Sequence, residues 1–270
     1  MEPTDHLVEQ VRQAIEETAA AVVLPRFRSP TAQARQKGPG DWVTVADHDA
    51  EAQLARLLPA LLPGSSVVGE EAVHAAPAVL EELSADRPVW LVDPLDGTAN
   101  FAAGREPFAM MVALLRQGRT ELGWIYLPMR RATLSATRGK AAHLDGVRVP
   151  PRQAAGSARA ILPLPALPAE IAASIERRAQ GVLEVQPSVW CAGSEYHQLL
   201  SGATDAALFT ATMPWDHAAG VLALTAAGGR AAYLDGSPYD PRDRTHRAML
   251  VAVSPGLWEK VRAEVLAPDL

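Results

Sequence analysis

One cysteine, Cys191, stands alone among 270 residues, so no intramolecular disulfide can form and a reducing compartment is expected. Cationic charge is also short: 25 Lys and Arg against 31 Asp and Glu leave a formal charge of −6. That balance argues against general nucleic-acid binding, since no basic excess exists to neutralise phosphates. An acidic chain that handles an anionic substrate needs bound cations to reverse the sign locally. No apolar run approaches membrane-spanning length, and Met1-Glu2-Pro3-Thr4-Asp5-His6 has neither the basic start nor the apolar core of a signal peptide. The expected setting is cytoplasmic, with neither nucleic acid nor membrane as partner. The seven histidines show no metal-ligand spacing, and His48 and His217 read as incidental neighbours of acids. There is no internal repeat.

What remains is enough for a large core. About half the residues are apolar and about a fifth charged, as in an ordinary globular enzyme. The most informative stretch runs from Val89 to Phe101. Val89-Trp90-Leu91-Val92 predicts a buried strand, and Pro94 and Gly97 turn the backbone at once. Asp93 and Asp96 are then held three residues apart on a tight turn, and their repulsion is commonly relieved by a hard divalent cation. Thr98 adds a hydroxyl, and the Gly97-Thr98 backbone offers N–H groups to an anion. A lone turn of this kind is more often only an Asx turn, so the other acidic clusters decide its meaning.

Residues 3–24 carry apolar side chains at helical spacing up to Pro25. Residues 26–40 are polar and basic and end in Lys37-Gly38-Pro39-Gly40, a mobile turn in composition. Residues 41–45 predict a strand, and Asp47 is a plausible N-cap for a helix from His48 to about Leu62. Ser65-Ser66-Val67-Val68 predicts a second strand ending in acid, at Gly69-Glu70-Glu71. After a short helix near residues 78–83 and the central strand, three strand-like runs separated by turns predict an antiparallel meander over residues 108–137. Asp145-Gly146 is a hairpin signal without chemistry. The Pro/Ala-rich residues 149–170 suggest a change of subdomain, dividing the chain into 1–150 and 151–270. The second part alternates helix and strand, and Pro214 followed by Asp216 opens an apolar helix. Its small residues Ala218-Ala219-Gly220 would let the first turns approach another backbone or a ligand.

Four acidic elements therefore stand at strand ends or helix starts: Asp47, Glu70-Glu71, Asp93/Asp96 and Asp216. Each alone reads as a cap or a solvated turn. In this order and spacing, together with Asn100-Phe101 and Trp215-Asp216-His217-Ala218-Ala219-Gly220, they resemble the inositol monophosphatase family of magnesium-dependent phosphomonoesterases. The resemblance covers essentially the whole chain. It implies an α/β fold, a layered αβαβα sandwich with an α+β N-terminal half and an α/β C-terminal half, the metals lying at the junction.

By the same resemblance, Glu70, Asp93 and the Leu95 carbonyl would hold a first Mg²⁺, and Asp93, Asp96 and Asp216 a second. A third, weaker ion would lean on Glu70. The all-oxygen donor set suits Mg²⁺ or Mn²⁺, and two ions roughly 3.5–4 Å apart would activate a water and stabilise the leaving oxygen in line. Thr98, bonded to Asp47, would orient that water with Glu70, while Gly97 and Thr98 cradle the phosphate. Lys37 falls where the family carries a lysine near the metals, or is a loop charge. The resemblance also implies lithium sensitivity and a homodimer.

The family's inositol phosphatases carry a glutamate seven residues before the aspartate matched by Asp216, to grip sugar hydroxyls; here that position is Phe209. Cys191 to Glu195 fall beside the expected substrate, where Ala192 and Glu195 are substrate-contact candidates and Glu195 reads more simply as a helix cap. The expected reaction is hydrolysis of inositol monophosphate or a similar polyol or sugar phosphate. Histidinol phosphate, a 3′(2′),5′-bisphosphate nucleotide and fructose 1,6-bisphosphate are alternative substrates. The Ala/Thr-rich rim at residues 203–213 offers no evident stacking aromatic for a nucleotide. A non-catalytic dimeric binding protein is the alternative of a different class.

Overall fold

Residues 5–29, 34–38 and 41–267 are described by a computed structural model of the chain. Helix α1 (Asp5–Thr18) buries Leu7, Val11 and Ile15 on one face. The helical run ends one residue past the expected stop at Pro25. It widens into a π-type turn at Ala19–Val23 and then tightens into a 3₁₀ turn at Leu24–Arg26 that absorbs the proline, which has no N–H to donate. The polar segment supplies β1 (Ala34–Gly38), which pairs antiparallel with β2 (Asp41–Thr44), while residues 39 and 40 of the expected turn lie outside the described residues.

Helix α2 (Val45–Leu61) begins at Thr44, not at Asp47. Thr44 is the N-cap, and Asp47, three residues on, bonds back to the Thr44 N–H, closing a capping box. Next come β3 (Ser66–Gly69), α3 (Glu70–Ala75) and, after a 3₁₀ stretch, β4 (Val89–Asp96). Strand β4 does not end at Asp93. Its pairing is irregular between Asp93 and Asp96, a bulge around Pro94 that a donor-less residue tolerates. The chain turns only at Gly97, whose φ of +83° precedes the short α4 (Thr98–Ala102).

The expected meander then appears as β5 (Ala109–Arg116), β6 (Arg119–Leu127) and β7 (Ala132–Thr137), extended by the hairpin β8 (Ala142–Leu144) and β9 (Val147–Arg148). Strands β3 to β9 form one seven-stranded sheet in sequence order, with only the β3–β4 pair parallel. The Pro/Ala-rich connector hides β10 (Ala158–Ile161), followed by α5 (Ala169–Ala179), β11 (Leu183–Gln186), α6 (Ala192–Ser201), β12 (Ala206–Phe209) and α7 (Pro214–Ala226). Strands β13 (Arg230–Tyr233) and β14 (Met249–Ala252) and helix α8 (Pro255–Val261) complete the chain. The second sheet has the order β11-β10-β12-β14-β13, with β10 parallel to both neighbours and β14 antiparallel to both of its own.

Alternation along the central strands builds the layers. Trp90, Val92, Met110, Val112 and Trp124 face α1 and α2 in one core. Leu91, Met111, Ala113 and Ile125 face the opposite way, into a second core shared with α6, α7 and the five-stranded sheet. Burying a large side chain of this kind contributes about 1.5–3 kcal/mol. The result is an αβαβα sandwich. Helix α7 sits close because its first turns are small. Ala219 meets the backbone of β6, where a Cβ on Gly123 would lie 2.8 Å from the Ala219 Cα, and Gly220 meets α6, where a Cβ would lie 2.1 Å from the Tyr196 ring. No helix among the described residues is long and apolar enough to cross a membrane.

Candidate active site

Parallel pairing of β3 with β4 puts Gly69 opposite Val92, so Glu70, the first residue of α3, emerges beside Asp93. Asp93 is 2% exposed. Burial, then the negative charges of Glu70, Asp96 and Asp216, push its pKa well above the usual carboxylate range, while the Leu95 N–H bonded to its Oδ1 at 3.0 Å opposes them. Glu70 is half-buried, and so is Asp216, in the first turn of α7. Chain segments distant in sequence thus bring Glu70, Asp93, Asp96 and Asp216 into one electrostatic group.

Asp96 is held across the layers. Its Oδ1 accepts from the Ala192 N–H at 3.2 Å, and its Oδ2 from the Gly193 N–H at 2.6 Å and the Cys191 thiol at 3.1 Å, all at the start of α6. Burial raises its pKa and these donors lower it. Reciprocally, burial and the adjacent carboxylate push the Cys191 thiol well up, leaving it a proton donor rather than a nucleophile.

Thr98 Oγ lies 3.0 Å from Asp47 Oδ1 and 2.8 Å from the Leu95 carbonyl, and its single proton serves one of them at a time. Asp47 is fully buried, and burial, partly offset by its bonds from Thr44, raises its pKa to about 6. The Thr98–Asp47 bond expected from the resemblance is therefore in place. Glu71 points elsewhere: buried, with Oε2 3.9 Å from His48 Nδ1, it lies on the α2 side. The side chain of Lys37 lies outside the described residues.

Two supports had been given no role from the sequence. Glu51 on α2 accepts the Glu71 and Ala72 N–H groups through its two oxygens, each at 2.8 Å, and so fixes the start of α3 that carries Glu70. Its signal was an acid on the apolar face of α2, one turn after Asp47 and in line with Leu54 and Leu58. Asn100 Nδ2 donates to the carbonyls of Pro107 and Val189 at 3.0 and 2.9 Å, tying the turn after Thr98 to the loop before α6.

A cleft of about 320 Å³ opens over Asp96, Gly97 and Thr98, with Ala192, Glu195, Phe209 and Asp216 among its lining residues. Glu195 does not cap its own helix. That position is Cys191, and Glu195, 2% exposed, turns back to accept from Ser188 Oγ at 2.6 Å and the Val189 N–H at 3.0 Å. Burial raises its pKa to about 7. Phe209 stacks on Tyr196 with ring centroids 5.4 Å apart and meets the edge of His217 at 4.6 Å. His217 is more than an incidental neighbour. It is buried with a pKa lowered to about 4, and its Nδ1 lies 3.1 Å from the Tyr196 hydroxyl.

The donor chemistry fits a hard divalent ion. Carboxylates that repel one another around a buried aspartate call for a compensating cation, and no Lys or Arg is among the described residues lining the cleft. Among the described residues no three acid, imidazole or thiol groups enclose an ion by themselves.

The sequence profile of the inositol monophosphatase family matches residues 4–269. This chain belongs to that family. Within the inositol monophosphatase family it is 31% identical to the Nus factor SuhB of Salmonella typhimurium strain LT2 over 223 residues, 78% of this chain and 79% of that protein. It is 26% identical to the inositol-1-monophosphatase of Bacillus subtilis, over 86% of each chain. Its fold superposes on that of the extragenic suppressor protein suhB from Bartonella henselae with a TM-score of 0.82 at 23% identity, covering 98% of this chain and 100% of the other. Family membership implies a phosphatase.

Proposed function

We propose that the chain is a divalent-cation-dependent phosphomonoesterase acting on a small phosphate ester, as a cytoplasmic homodimer. The observation that carries this reading is the buried Asp93 amid Glu70, Asp96 and Asp216, next to the Thr98–Asp47 pair, with Asp96, Asp216 and Thr98 of that group lining one cleft. Glu70, Asp93, Asp96, Asp216 and the Leu95 carbonyl would hold two Mg²⁺ ions or more, Mn²⁺ substituting. Bound there, the ions would supply Lewis-acid charge for the attacking and leaving oxygens. Thr98 would orient the attacking water through its hydroxyl, with Asp47 fixing which way that hydroxyl points and Glu70 accepting from the same water. The Gly97 and Thr98 N–H groups would hold the phosphoryl oxygens. Phe209 would supply apolar contact where a hydroxyl-gripping acid would favour a polyol.

Phosphate release is to be measured on inositol 1-phosphate, histidinol phosphate, fructose 1,6-bisphosphate and a 3′,5′-bisphosphate nucleotide, with Mg²⁺, with EDTA and with added Li⁺. Release that vanishes in EDTA supports the reading, and no Mg²⁺- or Mn²⁺-dependent release on any ester refutes it. The second reading, a binding protein without turnover, is favoured by relatives of this chain that carry the name Nus factor SuhB. Retained self-association without hydrolysis would select it.

A further inference from the structure

Trp190 is a large aromatic left 55% exposed, with a backbone φ of +55°, a conformation that side-chain-bearing residues seldom adopt. It is also one of the residues lining the cleft over Asp96, Gly97 and Thr98, together with Trp42 from β2. The segment before it is fastened from three sides. Buried Glu195 takes the Ser188 hydroxyl and the Val189 N–H, Asn100 takes the Val189 carbonyl, and the Ser188 oxygen accepts the Trp190 N–H at 3.0 Å. Strained backbone persists where the surroundings over-determine it, and such positions cluster at binding sites. The buried carboxylate thus pins a loop that displays an indole at the rim of the cleft.

From this we infer that Trp190 is a stacking platform for the leaving group, and that the preferred substrate is a monophosphate ester of an alcohol carrying a flat aromatic or heteroaromatic ring, such as a nucleoside monophosphate. The inference rests on the phosphatase reading above and narrows it. Two further features agree. Phe209, Leu208 and Pro163 line the same cleft with apolar surface instead of hydroxyl-binding acid. No Lys or Arg among its described lining residues offers a grip for a second phosphate, so a monophosphate fits better than a bisphosphate. The aromatics of this cleft come from residues 42 and 190, outside the rim at residues 203–213. Glu195 and Asn100 are positioning residues for this loop.

The test compares wild type, Trp190→Gly, which accepts a positive φ without strain, and Trp190→Phe, which keeps an aromatic face. Each is assayed on 1-naphthyl phosphate and adenosine 3′-monophosphate, and on glycerol 2-phosphate and inositol 1-phosphate. In Trp190→Gly the KM for the two ring-bearing esters is expected to rise about tenfold with kcat within about twofold, while the polyol esters change by less than about twofold. Trp190→Phe should restore most of the lost KM. Saturation-transfer NMR on adenosine in EDTA gives a readout without turnover: transfer to the purine protons should fall in Trp190→Gly. Equal effects on both ester classes, or none, overturn the platform while leaving the phosphatase intact. Should no ester be hydrolysed, the phosphatase reading fails, and Trp190-dependent transfer to adenosine would still establish the platform.

Discussion

Asp93→Asn separates the electrostatics of the site from its packing. Asparagine is nearly isosteric and keeps an oxygen for the Leu95 N–H that Asp93 Oδ1 accepts at 3.0 Å, but it carries no charge. In EDTA the native aspartate has a folded pKa well above its unfolded value, first through burial and then through Glu70, Asp96 and Asp216. An acid shifted upward loses stability as pH rises from the unfolded pKa through the folded one. At pH 8 and without metal, Asp93→Asn should therefore be more stable than wild type, and the two should converge under strongly acid conditions. With Mg²⁺ the order reverses. An ion at about a hundred times its Kd adds about 2.7 kcal/mol, which for a domain of this size raises Tm by about 5–10 °C. The variant should lose most of that rise. Thermal unfolding at pH 8 with EDTA and with saturating Mg²⁺ reads both effects. A variant less stable than wild type in EDTA, or one that keeps the full Mg²⁺ shift, would refute the assignment of Asp93 as the charged centre of a cation site.

Gly97→Ala should destabilise the chain by about 2 kcal/mol, because a side chain at φ +83° is strained and its Cβ would stand 2.9 Å from the Pro107 carbonyl oxygen; urea unfolding would show it, and turnover should fall with it. His217, held at a pKa of about 4 by burial, binds its proton more weakly folded than unfolded. Its contribution is whole above about pH 6.5 and declines by roughly 3 kcal/mol as pH falls through 4. The stability difference between wild type and His217→Gln should accordingly change by that amount between pH 7 and pH 4, and a constant difference would refute the assignment.

The elements that were legible in the sequence are those whose burial pattern is local. The strands β4 to β7 carry unbroken or alternating apolar runs, and the start of α7 carries Pro214 and Asp216 in the right order. Elements set by distant neighbours were not legible. Ala158-Arg159-Ala160-Ile161 has no strong strand preference and is extended because β11 and β12 pair with it on both sides. Pro94 looked like a strand terminator because a bulge is a property of two strands and not of one. Asp47 alone was read as the cap, and only the capping box it closes shows that Thr44 holds that place and Asp47 is its partner. In the site the acids stood out through the family resemblance that their order and spacing carry. The two tryptophans of the cleft, 148 positions apart in the chain, were not, since only the fold brings them to one rim.

The grip of α6 on Asp96 has a consequence for the life history of the molecule. The donors to that carboxylate lie 95 to 97 residues further along the chain, in a different layer, and Asp216 follows later still. A chain emerging from synthesis has displayed Glu70, Asp93 and Asp96 well before the parts that complete their surroundings exist. A half-made or half-folded chain then holds a loose cluster of acids and no formed cleft, so it has little hold on divalent ions or phosphate esters. On the proposed reading, competence would arrive with the last layer, and ion-dependent turnover would report finished assembly.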